Sequence, residues 1–224
     1  MGGFRYKAAH VVQLRADLLA VQEVERRAME EPIFGGEHQP TYRDRIGDPA
    51  FPIRAIGVFS YTGLDIRAVD LDAPLYAFRR YVARKADLEF NVIATWTAAT
   101  YYPATSYRQA HEGIEAHRDW ILERPTVLLG DLNDNASYRS TRWPDFMALL
   151  QPLGLFSAYH HFFSEAPGSE TRPTYFHKGD ETAGFHVDYC FLPAEWRSRI
   201  KGVRVGEFSP SISDHMPLIV DLDL

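Results

Sequence analysis

Four short segments hold the residue types that could do chemistry, and each lies at the end of, within, or just ahead of an apolar run. Leu18-Leu19-Ala20-Val21-Gln22-Glu23 ends in a glutamate. Val127-Leu128-Leu129-Gly130-Asp131-Leu132-Asn133 ends in an aspartate with an asparagine two residues on. His186-Val187-Asp188-Tyr189 carries an acid inside an apolar stretch. Ser213-Asp214-His215-Met216-Pro217 sets an acid beside a histidine, just ahead of the last apolar run. A single acid at a strand end is commonplace. Four together form a pattern, because loops at strand ends are where sites assemble in α/β proteins.

The chemistry open to these residue types is narrow. Carboxylates at Glu23 and Asp214 are hard oxygen ligands suited to Mg²⁺ or Mn²⁺; Mg²⁺ keeps several waters and takes few protein carboxylates alongside a substrate phosphate. A histidine next to an acid, with a further acid to orient its ring, is a general acid–base or charge-stabilising arrangement worth about 10²–10⁴ in rate. Asn133 would set an amide beside Asp131 in a tight turn, and Gly130 would let the backbone come close there. Other chemistries lack their signatures: there is no Gly-x-Ser-x-Gly elbow, no phosphate-binding or dinucleotide glycine loop, and one cysteine only. His111 and His117 lie about 240° apart around a helix and cannot share a metal face.

These residues need strands and helices to carry them. The spacing predicts a helix over 4–15, a short buried strand over 17–21, a loop over 30–52 and a strand over 53–60. One or two edge strands are expected within 65–84, and a strand over 88–96. The best helix covers 106–123, with Ser106 and Gln109 at capping-box spacing and an apolar stripe of Ala110, Ile114, His117 and Ile121. His117 reads as a core or rim histidine. A strand at 126–129, a helix at 144–152 and a loop-rich stretch at 164–184 follow. Strands at 186–192, 200–208 and 216–224 finish the chain. Cys190 falls inside one of these and reads as a buried strand residue. Helices alternating with buried strands are the grammar of an α/β protein, and no linker or repeat divides residues 1–224, so a single domain is expected.

Composition narrows the function classes. The 46% hydrophobic and 24% charged fractions exclude a disordered, collagen-like or coiled-coil chain. No apolar run is long enough for a membrane span. The lone cysteine rules out an internal disulfide and fits a reducing compartment, so a cytoplasmic location is expected. A net charge of −6 argues against a sequence-independent grip on long duplex DNA. Arg79-Arg80, Arg84-Lys85 and Arg139 with Arg142 are the candidates for a local phosphate-binding rim.

In type and order, Val21-Gln22-Glu23-Val24, Gly130-Asp131-Leu132-Asn133, His186-Val187-Asp188-Tyr189 and Ser213-Asp214-His215-Met216-Pro217 resemble the endonuclease/exonuclease/phosphatase superfamily of phosphoesterases. Thr95-Trp96-Thr97 and Pro173-Thr174-Tyr175 are similar to family segments, less specifically. The resemblance implies a four-layer α/β sandwich of two mixed β-sheets flanked by helices. It implies hydrolysis of a phosphate ester, nucleic acid among the candidate substrates, with Mg²⁺ or Mn²⁺ as cofactor. Glu23 would be a metal ligand and Asp214 would assist. Asp131 would align or deprotonate the attacking water, and Asn133 would hold that water or a phosphate oxygen. His215 would bind a phosphate oxygen, with its ring held by Asp188. Two departures follow. The chain opens at Gly2-Gly3-Phe4, past the point where the family has a first strand ending in a metal-site asparagine. The expectation is therefore a domain truncated at its N-terminus relative to the family, with an impaired pseudoenzyme or binding module as the alternative. The family's phosphate contact after the middle strand also has no obvious counterpart, only Trp96 or Thr97 nearby.

Overall fold

The computed structural model describes residues 3–30, 39–47, 54–61, 63–71, 75–98, 105–138, 142–209 and 211–224. The chain passes in order through α1 (Phe4–Val12), β1 (Leu18–Val21), α2 (Arg27–Glu30), β2 (Tyr42–Ile46), β3 (Ile56–Ser60), β4 (Asp65–Val69), β5 (Phe78–Lys85) and β6 (Leu88–Trp96). It continues through α3 (Ser106–Glu123), β7 (Thr126–Asp131), α4 (Trp143–Leu150), β8 (Leu155–Ser157), α5 (Ala158–Phe163), β9 (Tyr175–Phe176) and β10 (Gly184–Phe185). β11 (Asp188–Pro193), β12 (Ile200–Val205) and β13 (Leu218–Leu222) complete it.

Alternation along the strands builds the layers, because successive side chains in a strand point to opposite faces. In β5 and β6, Tyr81, Ala83, Phe90, Val92, Ala94 and Trp96 face one core, shared with Ile56 and Val58 of β3 and with Leu18, Ala20, Leu218 and Val220. The intervening Phe78, Val82 and Ile93 face a second core, packed against Ala110 and Ile114 of α3 and Trp143 and Phe146 of α4. Leu19, Val21 and Phe59 turn the other way, onto Phe4 and Ala8 of α1 and Ala28 of α2. The result is helix, sheet, sheet, helix. Each fully buried Ile, Leu or Phe in these interfaces contributes about 1.5–3 kcal/mol.

The larger sheet has six strands in the order β4-β5-β6-β7-β11-β8 and is mixed: β6 and β7 run parallel, and the other neighbours are antiparallel. The facing layer consists of two antiparallel ladders, β1-β3-β2 and β12-β13. Among the described residues β1 pairs only with β3 and β13 only with β12. The remaining edges of β1 and β13 line one cavity of about 880 Å³, with Trp96, Val127, Leu129 and Cys190 also in its wall.

Several elements differ from the sequence expectation, each for a physical reason. The expected loop over 30–52 contains β2, whose Tyr42-Arg43-Asp44-Arg45-Ile46 pattern lacks apolar alternation because it is the outer strand of its ladder; residues 31–38 and 48–53 lie outside the described residues. In the 65–84 stretch β4 is an edge strand, but β5 lies between β4 and β6. The α3 helix spans its expected residues, yet its cap is Thr105, whose hydroxyl accepts from the Arg108 N–H at 3.3 Å. Gln109 serves elsewhere, accepting from the Ala98 N–H at 3.2 Å and tying the helix to the end of β6. His117 is a core histidine: it is buried, its Nδ1 meets the Gly113 carbonyl and its ring lies against Phe78. Cys190 is buried and burial pushes its thiol up to about 12, which leaves it unreactive. Among the described residues no helix is long and apolar enough to cross a membrane.

Candidate active site

The site is assembled by strand register. In the β7–β11 pair Asp131 stands opposite Asp188, and in the parallel β6–β7 pair it stands opposite Trp96. Two residues far apart in sequence thus meet at one end of the larger sheet. The approach depends on Gly130, whose φ is +140° and whose missing Cβ would lie 2.0 Å from the Thr95 carbonyl oxygen. Only glycine fits there.

A second set of hydrogen bonds brings in the histidine. The Phe176 N–H donates to the Asp214 carbonyl at 2.8 Å and the Met216 N–H to the Thr174 carbonyl at 2.7 Å, with a Tyr175–His215 bridge between them. Thr174, fully buried, uses its hydroxyl oxygen to accept from both the Val187 and Asp188 N–H groups at 3.0 Å. His215 is thereby held with Nδ1 3.0 Å from Asp188 Oδ2, and the Tyr175 ring lies 4.7 Å from its own. Ligand atoms of Asp131, Asp188 and His215 all fall within 4.8 Å of one another.

The turn after β7 sets the rest. Asn133 adopts a left-handed φ of +46°. Its backbone N–H donates to Asp131 Oδ1 at 2.7 Å, and its side-chain amide donates to Asp131 Oδ2 at 2.8 Å and to the Thr97 carbonyl at 2.6 Å. Both amide hydrogens are therefore committed to protein oxygens, leaving the carbonyl end of this exposed side chain for water or substrate.

Electrostatics follow from crowding. Asp131 is only 2% exposed; burial, then Asp188, push its carboxyl up to about 8, against the pull of His215 and the Asn133 N–H. Burial alone would lower His215, but Asp188 outweighs it, with help from Asp131 and Asp214, and the imidazole is pushed up to about 9. At neutral pH the ring is an imidazolium beside an acid that still holds its proton.

Glu23 stands at the end of β1 in a left-handed conformation, φ +60°, and accepts from Arg54 Nη1 at 2.6 Å. Glu23 and Asp214 lie outside the three-residue cluster, yet both line the same cavity as Asp131, Asn133, Asp188 and His215. The expected basic rim is engaged elsewhere: Arg79 pairs with Asp44 and Asp70, Arg84 with Asp65, Lys85 with Asp17 and Arg142 with Asp145, while Arg139 lies outside the described residues.

Solved structures share this architecture. The 3′ phosphatase NExo from Neisseria, determined with a product DNA hairpin, superposes with a TM-score of 0.71 at 16% identity, covering 99% of this chain and 95% of its own. An AP endonuclease from Archaeoglobus fulgidus gives 0.68 at 17% identity, covering 97% and 93%. The endonuclease domain of TRAS1, a telomere-specific non-LTR retrotransposon, gives 0.68 at 17%, covering 98% and 92%. The chain has the endonuclease/exonuclease/phosphatase fold. No protein-family model matches it, and neither does any curated protein sequence.

Within this fold, sequence reasoning missed three contributors. Thr174 carries Asp188, and its segment was visible only as a loose similarity. Arg54 binds Glu23, a pairing 31 positions apart that needs the β1–β3 register to be known. Tyr138 packs on Phe185 at 5.1 Å and stands in the field of Asp131 and Asp188; nothing in a turn sequence signals it.

Proposed function

We propose that this chain, acting as one domain over residues 1–224, is a divalent-metal-dependent phosphoesterase that hydrolyses a phosphate ester by in-line attack of water. The observation that carries this reading is the convergence of Asp131, Asp188 and His215 at one end of the larger sheet, within 4.8 Å of one another. A binding module has no need of a histidine held by one acid beside a second acid raised to about 8.

The donor set fits Mg²⁺ or Mn²⁺. Hard carboxylate oxygens of Glu23 and Asp214 line the cavity with the Asp131–Asp188 pair, whose closeness adds to burial in holding the Asp131 carboxyl up. Glu23 would hold the ion, with Asp214 assisting; when bound, it supplies charge stabilisation at the phosphoryl oxygens. Asp131, once ionised, aligns the attacking water and takes its proton. Asn133 fixes Asp131 and offers its carbonyl to the same water. His215, charged at neutral pH and oriented by Asp188, neutralises the developing charge on a phosphate oxygen. DNA carrying a terminal phosphate or an abasic site is the substrate class to try first, since NExo and the A. fulgidus enzyme are similar in fold.

The test is Mn²⁺- or Mg²⁺-dependent turnover of bis(p-nitrophenyl) phosphate and of 3′-phosphorylated and abasic DNA. His215→Ala and Asp131→Asn should each lower turnover by about 10²–10⁴. Metal-independent turnover, or turnover insensitive to both substitutions, overturns the reading.

A further inference from the structure

Glu23 is held from three sides. Gln22 donates through Nε2 to the Thr95 carbonyl at 3.5 Å, a long contact that runs from the end of β1 to the end of β6 in the facing sheet. The Val24 N–H donates to the Ala55 carbonyl at 2.9 Å, and Arg45 Nε donates to the Val24 carbonyl at 3.0 Å. The Val24 side chain fills the space beside Gly57, where a Cβ would lie 2.7 Å from Val24 Cγ2. Between these anchors Glu23 takes its left-handed φ of +60°, and Arg54 Nη1 donates to its Oε1 at 2.6 Å. Arg54 and Ala55 are neighbours in the lead-in to β3. One short segment thus holds both the backbone after Glu23 and the Glu23 carboxylate.

The carboxylate needs such a hold. Glu23, Asp131, Asp188 and Asp214 line one cavity, and acids gathered in one place repel one another. The repulsion reaches across the site: after burial and Asp188, Glu23 also pushes the Asp131 carboxyl up. A glutamate side chain has several rotatable bonds, so without a cation beside it Glu23 would turn away from the other acids toward water. Arg54 opposes that turn with a short, charge-assisted hydrogen bond. The pair is sheltered, with the Glu23 side chain 22% exposed and that of Arg54 33%.

We infer that Arg54 is a positioning residue, whose guanidinium keeps the Glu23 carboxylate turned into the cavity and ready for a divalent cation. The inference rests on the phosphoesterase reading and deepens it. A cation beside a metal ligand has two opposed effects. By Coulomb's law it repels the incoming ion and weakens binding. By fixing the ligand it spares the ion the cost of gathering the acids, and so strengthens binding. The second effect governs here, because Arg54 spends its charge on Glu23 at contact distance, on a backbone already pinned on both sides. The sign of the change on removing Arg54 therefore tells the two effects apart.

Arg54→Gln tests this, since it removes the charge and keeps a polar side chain. Calorimetric affinity for Mn²⁺ should weaken by about 10–10²-fold. The melting temperature should move by less than about 4 °C, because a partly exposed ion pair adds little stability. Arg54→Lys, which keeps the charge, should recover much of the lost affinity. Unchanged Mn²⁺ affinity in Arg54→Gln would make the pair a purely structural contact, and tighter binding would make Arg54 a competitor of the ion; either overturns the inference. Glu23→Gln and turnover of bis(p-nitrophenyl) phosphate separate it from the reading beneath it. Metal-dependent turnover with affinity lost in Glu23→Gln but kept in Arg54→Gln overturns the inference alone. A wild type whose Mn²⁺ affinity depends on Arg54 but which turns nothing over refutes the phosphoesterase reading and upholds the role of Arg54. A wild type that binds no Mn²⁺ overturns both.

Discussion

Nδ1 of His215 lies 3.0 Å from Oδ2 of Asp188, across 27 positions of sequence. Burial by itself would favour a neutral ring; the neighbouring carboxylate reverses that and holds the imidazole at about 9. Asp188→Asn should return His215 to or below the ordinary histidine value of about 6.5, read from the imidazole C–H signals in an NMR titration. The sign for stability follows. A raised histidine stabilises the fold fully below its unfolded value and loses that contribution as pH climbs through about 9. Wild type should therefore lose stability between about pH 6.5 and 9 relative to the variant. A variant whose His215 still titrates near 9 would show that Asp188 is not the cause.

Cation binding should release a proton. Asp131 is held at about 8, so at pH 7 the metal-free protein carries it mostly as the neutral acid. A divalent cation among these oxygens favours the carboxylate form. Calorimetry of Mn²⁺ binding in buffers of different ionisation enthalpy should show release approaching about one proton at pH 7, fading above about pH 9, and absent in Asp131→Asn. Binding with no proton release in the wild type refutes this account of the cluster.

Gly130→Ala should be among the most damaging small substitutions in the chain. The added methyl would meet the Thr95 carbonyl oxygen at 2.0 Å, on a backbone already at φ +140°. Strain and overpacking together should cost about 2–5 kcal/mol, seen as an earlier midpoint in urea unfolding. The collision can be relieved only by separating β6 from β7, which moves Asp131. A change below about 0.5 kcal/mol would mean that the close approach is not needed.

Thr174→Val keeps the shape of the side chain and removes the oxygen that accepts from Val187 and Asp188. Two N–H groups then lose their partner, at about 1–3 kcal/mol each where water cannot reach. Turnover should fall together with stability because Asp188 is no longer pinned, and Thr174→Ser should restore both. A serine variant as impaired as the valine variant would point to the methyl group instead.

Much of the fold was legible because the periodicity was strong where the cores are. β6 and α3 carry apolar faces long enough to declare their type, and Ala110, Ile114 and Ile121 lie in the core as the stripe predicts. The chemistry-bearing acids were legible for a related reason: a carboxylate at the end of an apolar run has few places to go except where strand ends converge. What stayed hidden depends on relations that no local pattern encodes. β2 is an outer strand, so three of its five residues are charged and its alternation vanishes. Arg54 reaches Glu23 only through the β1–β3 pairing. The direction of the Asn133 amide is set by a left-handed turn, which commits its hydrogens to Asp131 and Thr97. Thr174 acts through a hydroxyl whose two donors are 13 and 14 residues away.

Glu23 follows β1, whereas Asp214 and His215 lead into β13, and among the described residues no ladder joins those two strands. Each half of that layer rests separately on the larger sheet through apolar side chains. Apolar packing is non-directional, unlike a row of backbone hydrogen bonds. The walls that carry Glu23, Asp214 and His215 stand on one greasy floor of Trp96, Val127, Leu129 and Cys190. The separation of the two halves, and with it the distance between Glu23 and His215, is set by residues that carry no charge.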